Sequence, residues 1–165
     1  MKKYILLLVV VVLSKAAIAQ TDTSLLYLRF PIVPTFKLYN VADSSIFTKE
    51  NLKKKTATII IIFSPDCEHC QHETKELTAK IELFKKAQIV MASPLEYDYI
   101  KKFYAEYKIA DFKNITMGRD PSYFLGTFYK VRSFPAIFVY DKKGNYVASF
   151  DGSVPVENIA AALNK

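Results

Sequence analysis

The apolar positions of the chain alternate between continuous runs and spaced stripes. Thr58 to Phe63 reads Thr-Ile-Ile-Ile-Ile-Phe, a run with no polar face, as expected of a strand buried on both sides. It ends at the turn signal Ser64-Pro65. A stripe spaced at three and four then begins, with Cys70, Thr74, Leu77, Ile81 and Phe84 on one face. That spacing predicts a helix from Cys67 to about Lys86, where basic residues suit the C-terminal dipole. Gln88 to Ala92 is the next strand, so a right-handed βαβ unit with a parallel pair is expected.

Ser93-Pro94-Leu95-Glu96 has the form of a capping box with proline at the first helical position. The helix it opens would bury Ile100, Phe103, Tyr104 and Tyr107. A short strand at Ile115 to Met117 follows. Asp120-Pro121 opens another helix, with Phe124, Leu125 and Phe128 inward. Ala136–Tyr140 and Tyr146–Phe150 flank the polar loop 141–145 and predict an antiparallel hairpin. A helix from about Pro155 to Leu163 closes the chain. Upstream, Phe36 to Tyr39 alternates and would pair at a sheet edge, and Thr48 to Leu52 looks like one helical turn. The sum is an α/β fold, a sandwich around a mixed sheet.

The N-terminus changes the picture. Met1-Lys2-Lys3, the apolar run Tyr4–Leu13 and Ala17-Ile18-Ala19 form a basic region, a hydrophobic region and a small-x-small cleavage site. Residues 1–19 are expected to be a signal peptide, 20–30 a loose N-terminal arm and 31–165 one domain. The apolar run is short for a membrane span, which makes an uncleaved anchor the lesser alternative. The expected destination is periplasmic or secreted, with the membrane met only through the leader.

Charge adds little. The formal +7 of the 165 residues falls to +4 once Lys2, Lys3 and Lys15 leave with the leader. The remaining lysine clusters read as solvated ends of elements, and no nucleic-acid partner is expected.

The chemistry lies at the first strand–helix junction. Cys67 and Cys70, the only two cysteines of the chain, stand there as C-x-x-C. Unpaired N–H groups at a helix start favour a thiolate on the first cysteine, and the second lies one turn on, within disulfide reach. A zinc site would need more ligands than His69 and His72, which share that turn. A structural staple would close too small a loop to constrain much. Inert buried cysteines sit poorly beside Asp66, Glu68 and His69. A redox dithiol is the leading reading, with no cofactor or metal.

Cys67-Glu68-His69-Cys70 after a buried strand, with Ser133-Phe134-Pro135 before the hairpin, resembles the thioredoxin fold. The inserted helix–strand, the leader and Glu73 narrow the resemblance to exported TlpA/ResA-like thiol–disulfide oxidoreductases. It covers roughly residue 31 to the C-terminus. The resemblance implies a thioredoxin-like three-layer sandwich, with helices on both faces of the mixed sheet. It implies a cis Pro135 against the dithiol and an acidic role for Glu73. Cys67 would attack and Cys70 resolve, with a Cys67–Cys70 disulfide as product. Pro135 and Phe134 would shape a docking groove, and His69 would tune the thiolate by its charge. Partners would be exported proteins bearing cysteines and, for a reductase, a membrane-bound thiol electron donor. Three positions depart from the pattern. Asp66 replaces the usual tryptophan, Ile61 stands where thioredoxin has a buried acid, and Lys75 stands near the usual helix proline.

Other activities stay open. A peroxiredoxin would carry Pro-x-x-x-Ser/Thr-x-x-Cys; Ser64 fits, but Ile60 holds the proline's place. His69 pulls toward a disulfide oxidase or isomerase. A non-catalytic binding module would have no use for an intact C-x-x-C.

Overall fold

The computed structural model describes residues 25–164. The signal peptide expected over 1–19 and the first half of the arm lie outside the described residues. In chain order the elements are α1 (Leu26–Arg29), β1 (Lys37–Asn40), β2 (Ile46–Thr48), β3 (Ala57–Ile62), α2 (Glu68–Ala79), β4 (Ala87–Ser93), α3 (Tyr97–Glu106), β5 (Ile115–Arg119), α4 (Phe124–Tyr129), β6 (Ala136–Tyr140), β7 (Tyr146–Asp151) and α5 (Val156–Ala162). Seven strands form one sheet in the order β2-β1-β5-β4-β3-β6-β7. β3 pairs parallel with β4 and β4 with β5, while β6, β7, β1 and β2 join antiparallel. The βαβ unit, the inserted helix–strand and the final hairpin are all present.

β3 is buried along its whole length, because the pleat sends alternate isoleucines into two cores. Ile59, Ile61 and Phe63 pack with Cys70 and Leu77 of α2, Ile100 and Phe103 of α3, and Ile159 of α5. Ile60 and Ile62 pack on the other face with Phe36, Leu125 and Tyr129. Helices on both faces of a mixed sheet give the three-layer sandwich expected.

Several boundaries differ from the sequence reading. α2 stops at Ala79, where Lys80 leaves the helical region (φ −113°, ψ 30°), and Ile81–Phe84 continues as a 3₁₀ turn. Phe84 still reaches the core, but Ile81 is only half-buried. No capping box forms at Ser93. Ser93 stays in β4 paired with Arg119, and the Glu96 carboxylate is spent on the Arg119 guanidinium at 2.6 Å. α3 therefore begins at Tyr97, with Glu96 as its N-cap residue. A reciprocal cap appears instead at the predicted turn after β2, between Thr48 and Asn51.

α4 starts at Phe124 rather than at Pro121. The Asp120 carboxylate accepts from the Leu125 N–H at 2.8 Å, and Tyr123 adopts a left-handed conformation (φ 51°). Phe124 points outward at 39% exposure, and Tyr129 takes the inner place. β1 is not an edge strand; the short β2 covers it. Nor is the arm wholly loose. α1 is one helical turn, and the Tyr27 ring packs edge-on against Phe138 and tilted against Tyr129 and Tyr146.

Candidate active site

Cys67 is the N-cap residue of α2, with extended backbone angles (φ −89°, ψ 115°). The loop before it is held by Gln71, whose side-chain amide donates to the Pro65 carbonyl at 2.9 Å. At an N-cap a side chain ordinarily offers an oxygen to a free helix N–H. Here sulfur takes that place: the Cys70 N–H points to Cys67 Sγ at 3.4 Å. An N–H aimed at sulfur is complementary to negative charge on it.

The second contact comes from far along the chain. The Cys67 thiol donates to the Phe134 carbonyl at 3.6 Å. The Phe134–Pro135 peptide is cis, as the resemblance implied. The Phe134 side chain is half-buried and touches both cores. Pro135 lines a closed pocket with Cys70, Glu73, Ile61, Phe63 and Met91, with no room for a water molecule.

The two sulfurs are unequal. Both cysteines are free thiols, with Cys67 half-buried and Cys70 only 1% exposed. Burial pushes the Cys70 thiol far above its ordinary range, and the nearby Cys67 and Glu73 charges add to the rise. Cys67 is thus the more accessible of the two sulfurs.

Glu73 is 2% exposed on the same helix face. Its Oε2 accepts from Ser153 Oγ at 2.7 Å and from the Val154 N–H at 3.0 Å. Its Oε1 is buried with no hydrogen-bond partner. A buried carboxylate oxygen without a donor is costly, and Glu73 lines the same pocket as Cys70. Ser153 and Val154 are the residues the sequence reading missed. They lie in the loop between β7 and α5, and nothing near them in sequence marks them.

His69 sits in the exposed first turn of α2, with Glu68 and Asp66 exposed around it. Among the described residues no group of three or more His, Cys, Asp or Glu side chains could hold a metal ion.

A C-x-x-C dithiol capping a helix beneath a buried strand, closed over by an X-Pro loop, defines a thioredoxin-type dithiol site. The chain belongs to the family of the thioredoxin-like domain, whose model matches residues 47–165. Among solved structures it is similar to a secreted disulfide oxidoreductase of Mycobacterium tuberculosis homologous to E. coli DsbE. The TM-score is 0.65 at 15% identity, over 77% of this chain and 92% of that one. It is also similar to the exposed lipoprotein thioredoxin Etrx1 of Streptococcus pneumoniae, with TM-score 0.59, 22% identity and coverage of 79% and 100%. A peroxiredoxin-like protein of Aquifex aeolicus gives TM-score 0.62 and 18% identity, over 79% and 82%. At these identities the likeness is one of fold. No curated protein sequence matches the chain significantly.

Proposed function

We propose that the protein is a thiol–disulfide oxidoreductase of exported proteins, working as a reductase. The observation that carries this is the asymmetry of the pair: an accessible Cys67 held by an N–H and a carbonyl, over a buried Cys70.

The Cys67 thiolate attacks one sulfur of a substrate disulfide. A Cys67–substrate bond forms, the substrate S–S bond breaks, and the other substrate sulfur leaves as a thiolate that takes up a proton. Cys70 then gives up its proton and attacks Cys67 Sγ. The Cys67–Cys70 disulfide forms and the second substrate thiol is released. Two electrons pass to the substrate. Glu73 Oε1, unpartnered beside Cys70, is the acceptor for the Cys70 proton. Pro135 and the Phe134 backbone wall the groove in which an extended substrate segment lies, and exposed His69 tunes the outer sulfur.

The oxidised protein needs a thiol donor, for which a membrane-bound dithiol is the chemical requirement outside the cytoplasm. The leader-like N-terminus supports a periplasmic or secreted destination. So does the likeness in fold to a protein named as secreted and to another named as an exposed lipoprotein.

The test is catalysed reduction of insulin disulfides with dithiothreitol as the terminal donor. The protein should accelerate precipitation, and Cys67→Ser should abolish the effect. Consumption of hydrogen peroxide by the protein, with no acceleration of insulin reduction, would overturn the reading in favour of a peroxidase.

A further inference from the structure

The end of the domain remote from the dithiol carries a lysine-lined groove that the redox chemistry does not use. The groove, ≈ 350 Å³ in volume, is walled by Lys49, Lys53, Lys54, Lys55, Lys142 and Lys143, with no carboxylate among its lining residues. Its floor is polar and closed: Gln88 bonds the Lys53 backbone in both directions and the Thr58 hydroxyl. One lysine is already engaged, since Lys49 Nζ donates to the Val33 carbonyl. Asp141 is the nearest acid in sequence to Lys142 and Lys143. Its carboxylate accepts from the Lys143 and Asn145 N–H groups inside the hairpin loop.

Lysines that scatter along the sequence thus converge in space, from the loop before β3 and the β6–β7 loop. A second groove shares Lys142 and adds Lys85 and Lys86; its one carboxylate, Glu82, lies 4.0 Å from Lys85 Nζ, which leaves Lys86 and Lys142 as its unneutralised cations. Two large aliphatic side chains stand out among these cations. Ile32 lines the first groove and is 51% exposed; Leu83 lines the second and is 47% exposed.

We propose that this pole docks on an anionic phospholipid bilayer, lysines against headgroup phosphates and Ile32 and Leu83 against the acyl boundary. Charge complementarity selects an anion, because the like charges gathered without a carboxylate in the first groove repel until something neutralises them. The exposed aliphatics select a bilayer over a soluble anion. A free phosphate has no use for Ile32 or Leu83, whereas basic surfaces with apolar side chains among them partition into anionic interfaces. Among the described residues no helix is long and apolar enough to cross a membrane, and the proposed contact is one of surface side chains. The geometry has a consequence for the dithiol. Thr58, at the start of β3, lines the groove, and Cys67 follows the strand's other end. A strand of this length spans about 20 Å, so a docked domain faces its dithiol away from the bilayer.

The experiment is co-sedimentation of the full chain with vesicles of phosphatidylcholine alone and of equal parts phosphatidylcholine and phosphatidylglycerol. The leader contributes equally to wild type and variants, so the comparison between them isolates the folded surface. Combined Lys53→Gln, Lys54→Gln, Lys142→Gln and Lys143→Gln should lower partition onto the anionic vesicles at least about tenfold, since each lysine near such a surface contributes severalfold. Partition onto neutral vesicles should not change, and added salt should erase the difference. Combined Ile32→Ser and Leu83→Ser should also weaken the anionic binding. Dithiothreitol-driven insulin reduction by the lysine variant should match wild type, which shows that it is folded. Unchanged binding by the lysine variant overturns the proposal. So does wild-type binding to pyrophosphate or a single-stranded oligonucleotide that is indifferent to Ile32→Ser and Leu83→Ser, with no preference for anionic vesicles.

Discussion

Cys67 Sγ lies 3.6 Å from the carbonyl oxygen of Phe134, a residue 67 positions further along the chain, and its thiol donates to it. The contact ties the start of α2 to the loop before β6, so the sulfur sits against a backbone segment rather than in open solvent. In the proposed reaction, a substrate disulfide that displaces this bond meets Cys67 before it can reach the buried Cys70.

The first expectation follows from that order of access. Cys70→Ala should accumulate substrate proteins bound to Cys67, seen as reductant-sensitive bands on a non-reducing gel of an exported protein fraction. Cys67→Ala should accumulate none. Adducts on the Cys67→Ala variant alone would reverse the two roles.

Burial of Cys70 gives a pH dependence whose sign is fixed. The fold favours the neutral thiol, so the folded chain holds a proton that the unfolded chain releases near 9.0. Stability from this group is full below that value and declines as pH rises beyond it. The reduced protein should lose urea resistance progressively above about pH 9, and Cys70→Ala should flatten the early part of the decline. Tyr129 and Tyr140, whose hydroxyls burial also pushes up, act in the same direction from their higher starting point of 10.0. A decline that is the same with and without Cys70 would assign it to the tyrosines.

Glu73 separates a structural from a chemical role by the choice of replacement. Glu73→Gln keeps an acceptor for Ser153 Oγ and the Val154 N–H, so stability should fall little. Release of substrate from the mixed disulfide should slow by about tenfold or more, toward the ~10²–10⁴ typical of a lost general base. Glu73→Ala strands both donors and should cost about 1–3 kcal/mol as well. Stopped-flow measurement of the two thiol-transfer steps distinguishes them. Equal slowing of both steps by Glu73→Gln would remove it from proton transfer.

The second core has a polar pair of its own. The hydroxyls of Tyr129 and Tyr140 lie 2.6 Å apart in a buried environment, with Tyr129 stacked on Phe138 at 3.7 Å between ring centroids. Removing one hydroxyl leaves the other buried without this partner. Tyr129→Phe or Tyr140→Phe alone should each cost about 1–3 kcal/mol, and the double replacement clearly less than their sum. Additive losses in urea denaturation would show that the hydroxyls act independently.

What the sequence shows of this protein is what is local and periodic. The isoleucine run of β3, the cysteine pair at its end and the stripe of α2 are all contiguous, and each follows from strand or helix geometry alone. β2 escapes because its three half-exposed residues alternate too briefly to register. Ser93 misleads because its capping pattern competes with a strand ladder that only Arg119, distant in sequence, supplies. The partners of Glu73 lie 80 and 81 residues away, and the lysine groove unites segments that read separately as solvated ends. In each case the missing term is a tertiary contact, which outweighs a local preference of a fraction of a kilocalorie.

The proposed reductase direction rests on what surrounds the two sulfurs. A strongly oxidising pair is one whose reduced form is stabilised. Here burial and the neighbouring Glu73 charge keep the reduced Cys70 a neutral thiol, so it supplies none of the thiolate stabilisation that makes a pair oxidising. An oxidising pull could come from His69 at the outer sulfur, but it is exposed, so solvent screens it, and Asp66 and Glu68 flank it. Equilibrium titration of the Cys67–Cys70 couple against glutathione and dithiothreitol buffers should give a potential near or below that of thioredoxin, about −270 mV. A wild-type value close to about −120 mV, that of the strong periplasmic oxidants, would mean that His69 and the helix start dominate and that the protein is an oxidase.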